Sequence, residues 1–384
     1  MTRDPLSPAG IAALTAELVR IPSVNPTVAP EEHGDERGVA RFACEWLAAH
    51  DVKAWTEEAA PGRPNVVAEV GDGDGPTLVL CGHIDTVGTS GMDIPPFEPR
   101  VDGDRLYGRG SHDMKGGVAA AMAVAASLAR RTLGGRLMLA LVADEEYGSL
   151  GTSAFVARHQ ADGCIVTEPS ALELVLAHKG FLWAEVTTRG RAAHGSRWDL
   201  GTSAIATMGR VIAALDEFDR GVLRARTHAM VGPASMHPAL VQGGAGLSTY
   251  APECRLKIER RTLPGETPED VENELRAVVA SVAPEATVEP ILYCPPLACD
   301  GASALARSVR EAATKVLGRA PRESGVAFWM DAALFEAAGI PTVNFGGDGA
   351  GAHEPVEWAS VTSLVTCARV LRSAVHEFMK ESRG

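Results

Sequence analysis

The sequence predicts an α/β protein, a sandwich around a largely buried sheet, interrupted by an inserted α+β domain of ferredoxin-like order. Three observations predict it. Short apolar strands alternate with amphipathic helices over the first half of the chain. Near Leu176 the pattern changes to period-two strands, and a helix, a strand and a second helix resume the first pattern at the end. The expected division is 1–177 for the first part of the main domain, 178–292 for the insertion and 293–384 for the second part.

The elements follow in order. Segments 11–19 and 37–50 carry apolar residues at helical spacing, and 116–130 is an alanine-rich helix. NVVAEV (65–70), TLVLCG (77–82), RLMLALVA (136–143) and CIVT (164–167) are short apolar runs bounded by Gly, Asp or Pro, as buried strands are. Ligands of such sheets gather at the carboxyl ends of the strands. In the insertion, FLWAEVTT (181–188) alternates. Segment 203–218 is a helix, 240–246 and 254–261 are strands, 267–282 is a helix opened by a Thr267/Asp270 cap, and 286–292 is a strand. Strand, helix, two strands, helix, strand is the split βαβ order. Helix 302–317, strand 341–347 and helix 360–380 complete the main domain.

Bulk properties narrow the function. A chain of 384 residues with 46% hydrophobic and 22% charged residues is a globular protein with ample core. A net charge of −13 argues against nucleic acid or an anionic membrane as partner. Seven scattered cysteines without a CxxC pair argue against a disulfide framework or a zinc knuckle. The first residues, MTRDPLSPAG, lack the apolar core of a signal peptide, and no apolar run reaches membrane length, so a cytoplasmic protein is expected.

Chemistry-bearing residues recur at strand exits. CGHIDTV carries His83 and Asp85, which fit a catalytic pair, a metal ligand with its support, or a polar pair closing a strand. YGRGSHDMKGG carries Asp113, LVADEEYG carries Asp144, Glu145 and Glu146, IVTEPS carries Glu168, and GAGAHEPVEW carries His353. Histidines and carboxylates without cysteine suit zinc, cobalt or manganese. A two-metal site needs a bridging carboxylate, a histidine for each metal and a free carboxylate to handle the proton of the attacking water, and this inventory supplies all of them.

In the order HIDT, GRGSHDMKGG, DEEYG, TEPS, AHG, RTLPGE and AHEPVEW, the chain resembles the di-zinc metallopeptidase and deacylase family of acetylornithine deacetylase, succinyl-diaminopimelate desuccinylase, carboxypeptidase G and aminoacylase. The resemblance runs through nearly the whole chain. It implies a zinc-peptidase-like α/β/α catalytic domain with a ferredoxin-like insertion acting as lid and dimerisation domain. It also implies two divalent metals, Zn2+ first and Co2+ or Mn2+ as alternatives, held by His83, Asp113, Glu146, Glu168 and His353, with Asp113 as the bridge. Glu145 would be the general base and Asp85 the group orienting His83. His194, in GRAAHGS, would stabilise the oxyanion, often from the partner subunit, and Arg261 would hold a substrate carboxylate.

The chain departs from that pattern at AFWMDAA (327–333), where relatives have a glycine-rich segment, so Trp329 and Met330 reshape the pocket and Asp331 is assigned a structural role. His112 is assigned to the loop and His178 to packing at the domain junction. The expected activity is hydrolysis of N-acyl amino acids such as N-acetylornithine or N-succinyl-diaminopimelate through a metal-activated water, by a homodimer joined through the insertion. A dipeptidase or glutamate carboxypeptidase of the same family is the near alternative, and a catalytically inactive binding protein on this fold is the alternative from another class.

Overall fold

Seven consecutive buried residues, Thr77–His83, form the strand around which the larger unit of the fold is organised. Leu78 and Leu80 face one way and join the principal core, while Val79 and Cys81 face the other way and are equally buried. A strand covered on both faces needs helices on both sides of its sheet. The computed structural model describes residues 4–32, 34–71 and 75–381. They form two compact units, one of residues 1–176, 299–324 and 330–384, the other of 177–298 and 325–329.

In the larger unit the sheet runs Lys53–Ala60, Arg63–Gly71, Arg136–Val142, Thr77–His83, Gly163–Val166, Thr342–Asn344, Leu174–His178. The four central strands, Arg136–Val142 through Thr342–Asn344, are mutually parallel, and antiparallel strands flank them. Helices Pro8–Arg20, Arg37–Ala49, Gly116–Leu128, Ala304–Leu317 and Val361–Glu381 contribute to the principal core. Leu150–Arg158 and Ala332–Ala337 pack on each other through Phe155 and Phe335, with ring centroids 5.8 Å apart. Gly116–Leu128 is buried nearly all round, because its alanines let neighbouring helices approach closely. Ser7 and Ser303 cap their helices by accepting N–H bonds from Gly10 and Ala306.

Some elements escape the sequence reading. Lys53–Ala60, KAWTEEAA, is a partly exposed antiparallel strand without an apolar run. Leu150–Arg158 is a short helix hidden by serine, threonine and glycine. The 341–347 strand shortens to Thr342–Asn344, and His353 follows a further short strand, Gly349–Ala350, of a small sheet shared with Trp358–Ser360, Arg105–Tyr107 and Arg100–Asp102.

The second unit has the antiparallel sheet order Ser235–Gly243, Glu253–Thr262, Gly180–Arg189, Thr287–Cys294. Numbered along the chain this is 2-3-1-4, the ferredoxin-like order, with helices Ala204–Gly221 and Pro268–Val282 packed on the sheet and on each other. Glu253–Thr262 alternates buried and less buried residues, as a one-sided sheet requires. Thr267 caps the second helix, accepting the Asp270 N–H at 3.2 Å. The strand expected at 240–246 lies instead at Ser235–Gly243. Gly244 and Gly246 adopt positive φ, and the ladder ends at Gly243. This unit passes residue 292 because the last strand continues pairing to Cys294 opposite Phe181 and the next residues pair through Leu297 with His178. No helix among the described residues is long and apolar enough to cross a membrane.

Replacing Leu80 by alanine removes a fully buried side chain from the main core. It is expected to lower unfolding stability by about 2–5 kcal/mol, read from urea denaturation followed by circular dichroism.

Candidate metal centre

Parallel pairing sets the height at which each loop leaves the sheet. His83 pairs with Val142 and Cys81 with Val166, so the exits of three strands lie side by side. From them emerge His83 itself, the Asp144-Glu145-Glu146 turn and Glu168. Asp113 arrives on the irregular turn Ser111–Lys115 ahead of the alanine-rich helix. Glu357 fixes that turn, accepting N–H bonds from Gly110, His112 and Asp113 at 2.9, 2.9 and 3.0 Å and a bond from Arg109 at 2.8 Å. His353 stands in a tight turn with φ 61°.

Two trios result, His83 with Asp113 and Glu168, and Asp113 with Glu146 and His353, each with its donor atoms within 4.8 Å of one another. Asp113 belongs to both through different oxygens. His83 Nε2 lies 3.1 Å from Oδ1, and His353 Nε2 lies 3.3 Å from Oδ2. Glu168 Oε1 is 3.5 Å from His83 Nε2, and Glu146 Oε2 is 3.0 Å from His353 Nε2. The other nitrogen of His83 is engaged, 3.0 Å from the Asp85 carbonyl and 3.5 Å from its Oδ1, which leaves Nε2 facing the trio. Asp85 is fully buried, and its carboxylate accepts the N–H groups of Glu145 and Glu146, each at 3.2 Å. Close approach matters behind Glu168, where a Cβ on Gly346 would stand 2.0 Å from the Glu168 carbonyl oxygen.

The electrostatics follow from crowding. Burial pushes Glu168 well above the usual carboxylate range, and Asp113 adds to the push. Burial and Asp113 likewise raise Glu146. Glu145 belongs to neither trio, and burial lifts it well above its ordinary value, with His83 opposing and Glu168 reinforcing. For Asp113 burial is outweighed by His353 and His83, which hold it far below the ordinary range. Burial disfavours a charged His83, yet Glu168, Asp113 and Asp85 raise it well above normal. Hydrogen bonds to Asp113 and Glu146 lift His353 to about 10.

The donor set fits two divalent cations. Imidazole and carboxylate donors converge with one shared carboxylate, and Glu146 Oε1 is buried without a hydrogen-bond partner, as a ligand oxygen waiting for a cation is. The remaining residues singled out from the sequence are placed differently. His194 lies in the second unit, exposed, bridging to Thr249 through its backbone and 2.8 Å from Ser196 Oγ through Nδ1. Arg261 also lies there, bonded through Nε to Glu259 at 2.7 Å and stacked over Phe181 at 5.3 Å. Asp331 is buried and accepts a bond from Thr152 at 2.7 Å.

Residues 79–377 match peptidase family M20/M25/M40. The chain belongs to this family. An acetylornithine deacetylase from Myxococcus xanthus is 32% identical over 338 residues, covering 84% of this chain and 86% of that one. Among solved structures, aminopeptidase PepT from Bacillus cereus superposes with a TM-score of 0.79 at 18% identity, covering 97% and 99% of the two chains. A dinuclear metal binding peptidase of family M20 from Bacillus subtilis gives 0.75 at 17%, covering 97% and 98%. The protein is therefore an M20-family amide hydrolase, and its fold is that of M20 metallopeptidases.

Sequence reasoning missed residues of this M20 centre that bear no motif of their own. Glu357 lies inside the quoted AHEPVEW stretch, but nothing in the sequence shows that it holds the Asp113 turn. Asn25, Arg63 and Glu36 are distant in sequence and reach the centre only through the fold.

A raised histidine adds stability that is complete below its ordinary value of 6.5 and is lost as pH rises through the folded value, here about 10 for His353. In chelator-treated protein, the melting-temperature gap between wild type and His353→Ala is expected to be widest near pH 6.5 and to narrow toward pH 10. Calorimetry across that range reads it.

Proposed function

We propose that the protein is a two-metal deacylase that cleaves N-acyl amino acids, such as N-acetylornithine or N-succinyl-diaminopimelate, to a carboxylate and an amine. The observation that carries this reading is the sharing of Asp113 by two His/carboxylate trios, with Glu145 beside them and outside both. The likeness to an acetylornithine deacetylase over most of both chains favours N-acyl amino acids over peptides.

In this reading His83, Asp113 and Glu168 hold one cation and Asp113, Glu146 and His353 the other, with zinc the natural ion and cobalt or manganese able to replace it. Such a pair, when bound, supplies Lewis acidity for the amide carbonyl and lowers the pKa of water toward ~7. Glu145 takes a proton from the attacking water on a carboxylate oxygen and passes it to the departing amine nitrogen. Burial raises its proton affinity above that of an ordinary carboxylate, which helps the ionised side chain take that proton and hold it until it is passed on. Asp85 keeps the His83 proton on Nδ1. His194 donates to the oxyanion of the tetrahedral intermediate, and Arg261, steadied by Glu259 through Nε and Nη2, offers Nη1 to a substrate carboxylate.

The second unit supports a homodimer. Among the described residues its outer strand Ser235–Gly243 pairs on one edge only, and Leu240, Val241, Leu247 and Trp198 are exposed on the same unit, Trp198 at 80%. Family membership and the acidic chain are consistent with a cytoplasmic enzyme acting on small molecules.

Turnover of a panel of N-acetyl, N-succinyl and N-formyl amino acids and dipeptides by zinc- or cobalt-loaded protein, followed by amine release, tests the substrate class. Glu145→Ala is expected to abolish turnover while both metals stay bound by elemental analysis. Near-normal activity of that variant would remove Glu145 as the base. Mixed Glu145→Ala and His194→Ala subunits are expected to regain partial activity once exchange is verified. If they do not, His194 does not act across the dimer.

A further inference from the structure

We propose that Asn25 is a positioning residue of the centre: its side-chain amide ties Asp85 to Asp144 and thereby sets the direction in which Glu145 and Glu146 leave the sheet. Asn25 sits in SVNP, a stretch that none of the assignments above uses. It is fully buried. Its backbone N–H is bonded to the Thr86 carbonyl at 2.8 Å, and its Oδ1 accepts the Thr27 N–H at 2.9 Å. That second bond fixes the amide, so Nδ2 faces two carboxylates, Asp85 Oδ2 at 2.8 Å and Asp144 Oδ1 at 3.0 Å. The reversed amide would aim an oxygen at both and leave two N–H donors facing another N–H. An NH2 group has two protons to give, one for each carboxylate.

Both carboxylates control the glutamates that follow. Asp85 accepts the N–H groups of Glu145 and Glu146. Asp144 directly precedes them and holds a left-handed φ of 70°, an uncommon conformation for a residue other than glycine. It is kept there from several sides. Its carbonyl accepts from Gly148 and Ser149, and Arg63 Nη2 bonds its Oδ1 at 2.8 Å. Arg63 is itself clamped by buried Glu36, with Nε 2.9 and 3.0 Å from the two carboxylate oxygens. Arg63 thus neutralises Asp144, and among the described residues Asn25 is the side chain bonded to both Asp85 and Asp144. Without it, Asp85 and Asp144 lose the one NH2 group that both accept, and nothing ties the direction of one carboxylate to that of the other.

The inference deepens the two-metal reading and rests on it, so the test has an arm that does not depend on turnover. Asn25→Ala and Asn25→Asp are compared with wild type by far-UV circular dichroism, by the visible absorption of bound Co2+, and by kcat and KM from pH 5.5 to 9. Asn25→Ala is expected to keep its fold and bind Co2+, with a changed Co2+ spectrum and kcat reduced about 10–100-fold, and with KM within about threefold. The carboxyl placed by Asn25→Asp can donate a hydrogen bond only while protonated, so its kcat relative to Asn25→Ala is expected to fall as pH rises. A wild-type Co2+ spectrum in Asn25→Ala, or a ratio of the two variants that is flat with pH, overturns the proposal. If Asn25→Ala does not fold, Asn25→Asp against wild type gives the same pH comparison. If wild type binds Co2+ but cleaves no amide, the functional reading falls, and the Co2+ spectra alone decide the role of Asn25.

Discussion

Like charges held close together govern this structure. Asp85, Asp113, Asp144, Glu145, Glu146 and Glu168 crowd the exit edge of one sheet, where two unit charges 4 Å apart repel by roughly 4 kcal/mol at an effective dielectric of 20. The surroundings are arranged to offset that repulsion. Backbone N–H groups serve Asp85, Arg63 serves Asp144, and two imidazoles serve Asp113. Glu146 keeps an unpartnered buried oxygen, and burial raises Glu145, Glu146 and Glu168. Protein groups alone therefore leave the centre short of positive charge, which is the condition under which divalent cations bind well.

Placing that charge requires rigidity behind it. The parallel register brings three strand ends to the same level, and strands buried on both faces give the loops no freedom to slide. The fourth contributor, the Asp113 turn, lies between a sheet strand and a helix, and its geometry is imposed from outside by the Glu357 carboxylate. Asp113 bridges the trios because a residue nearly 250 positions away holds its backbone.

The architecture was legible in the sequence to the extent that hydrophobic period and length are. The central strands and every long helix stand out as apolar runs or helical faces, and βαββαβ order was enough for the second unit's topology. Polar edge strands such as Lys53–Ala60 were not legible, because their pairing comes from a neighbour rather than from their own composition. At the centre, the residues that touch one another were legible because each carries a histidine or carboxylate at a strand exit. The residues that orient them were not, because Asn25, Arg63, Glu36 and Glu357 look in sequence like ordinary helix-cap, loop or surface residues. Only tertiary contacts set them apart. His194 and Arg261 belong to the second unit, and their place in the chemistry rests on family resemblance rather than on a contact with the trios.

The second unit is an insertion in sequence order but not a separable cassette. Residues 325–329, which come after the chain has returned to the larger unit, belong to it. Gly325 lies so close to Met230 and Val231 that a Cβ would approach both within 2.8 Å, and Trp329 Nε1 donates to the Pro295 carbonyl at 2.9 Å. Cutting out 177–298 would therefore take a body without one of its own parts and leave that part stranded in the remainder. Domain shuffling among relatives, whether by evolution or by an engineer building chimaeras, has to exchange two segments together, and crossovers placed only at the obvious boundaries are expected to yield poorly packed hybrids.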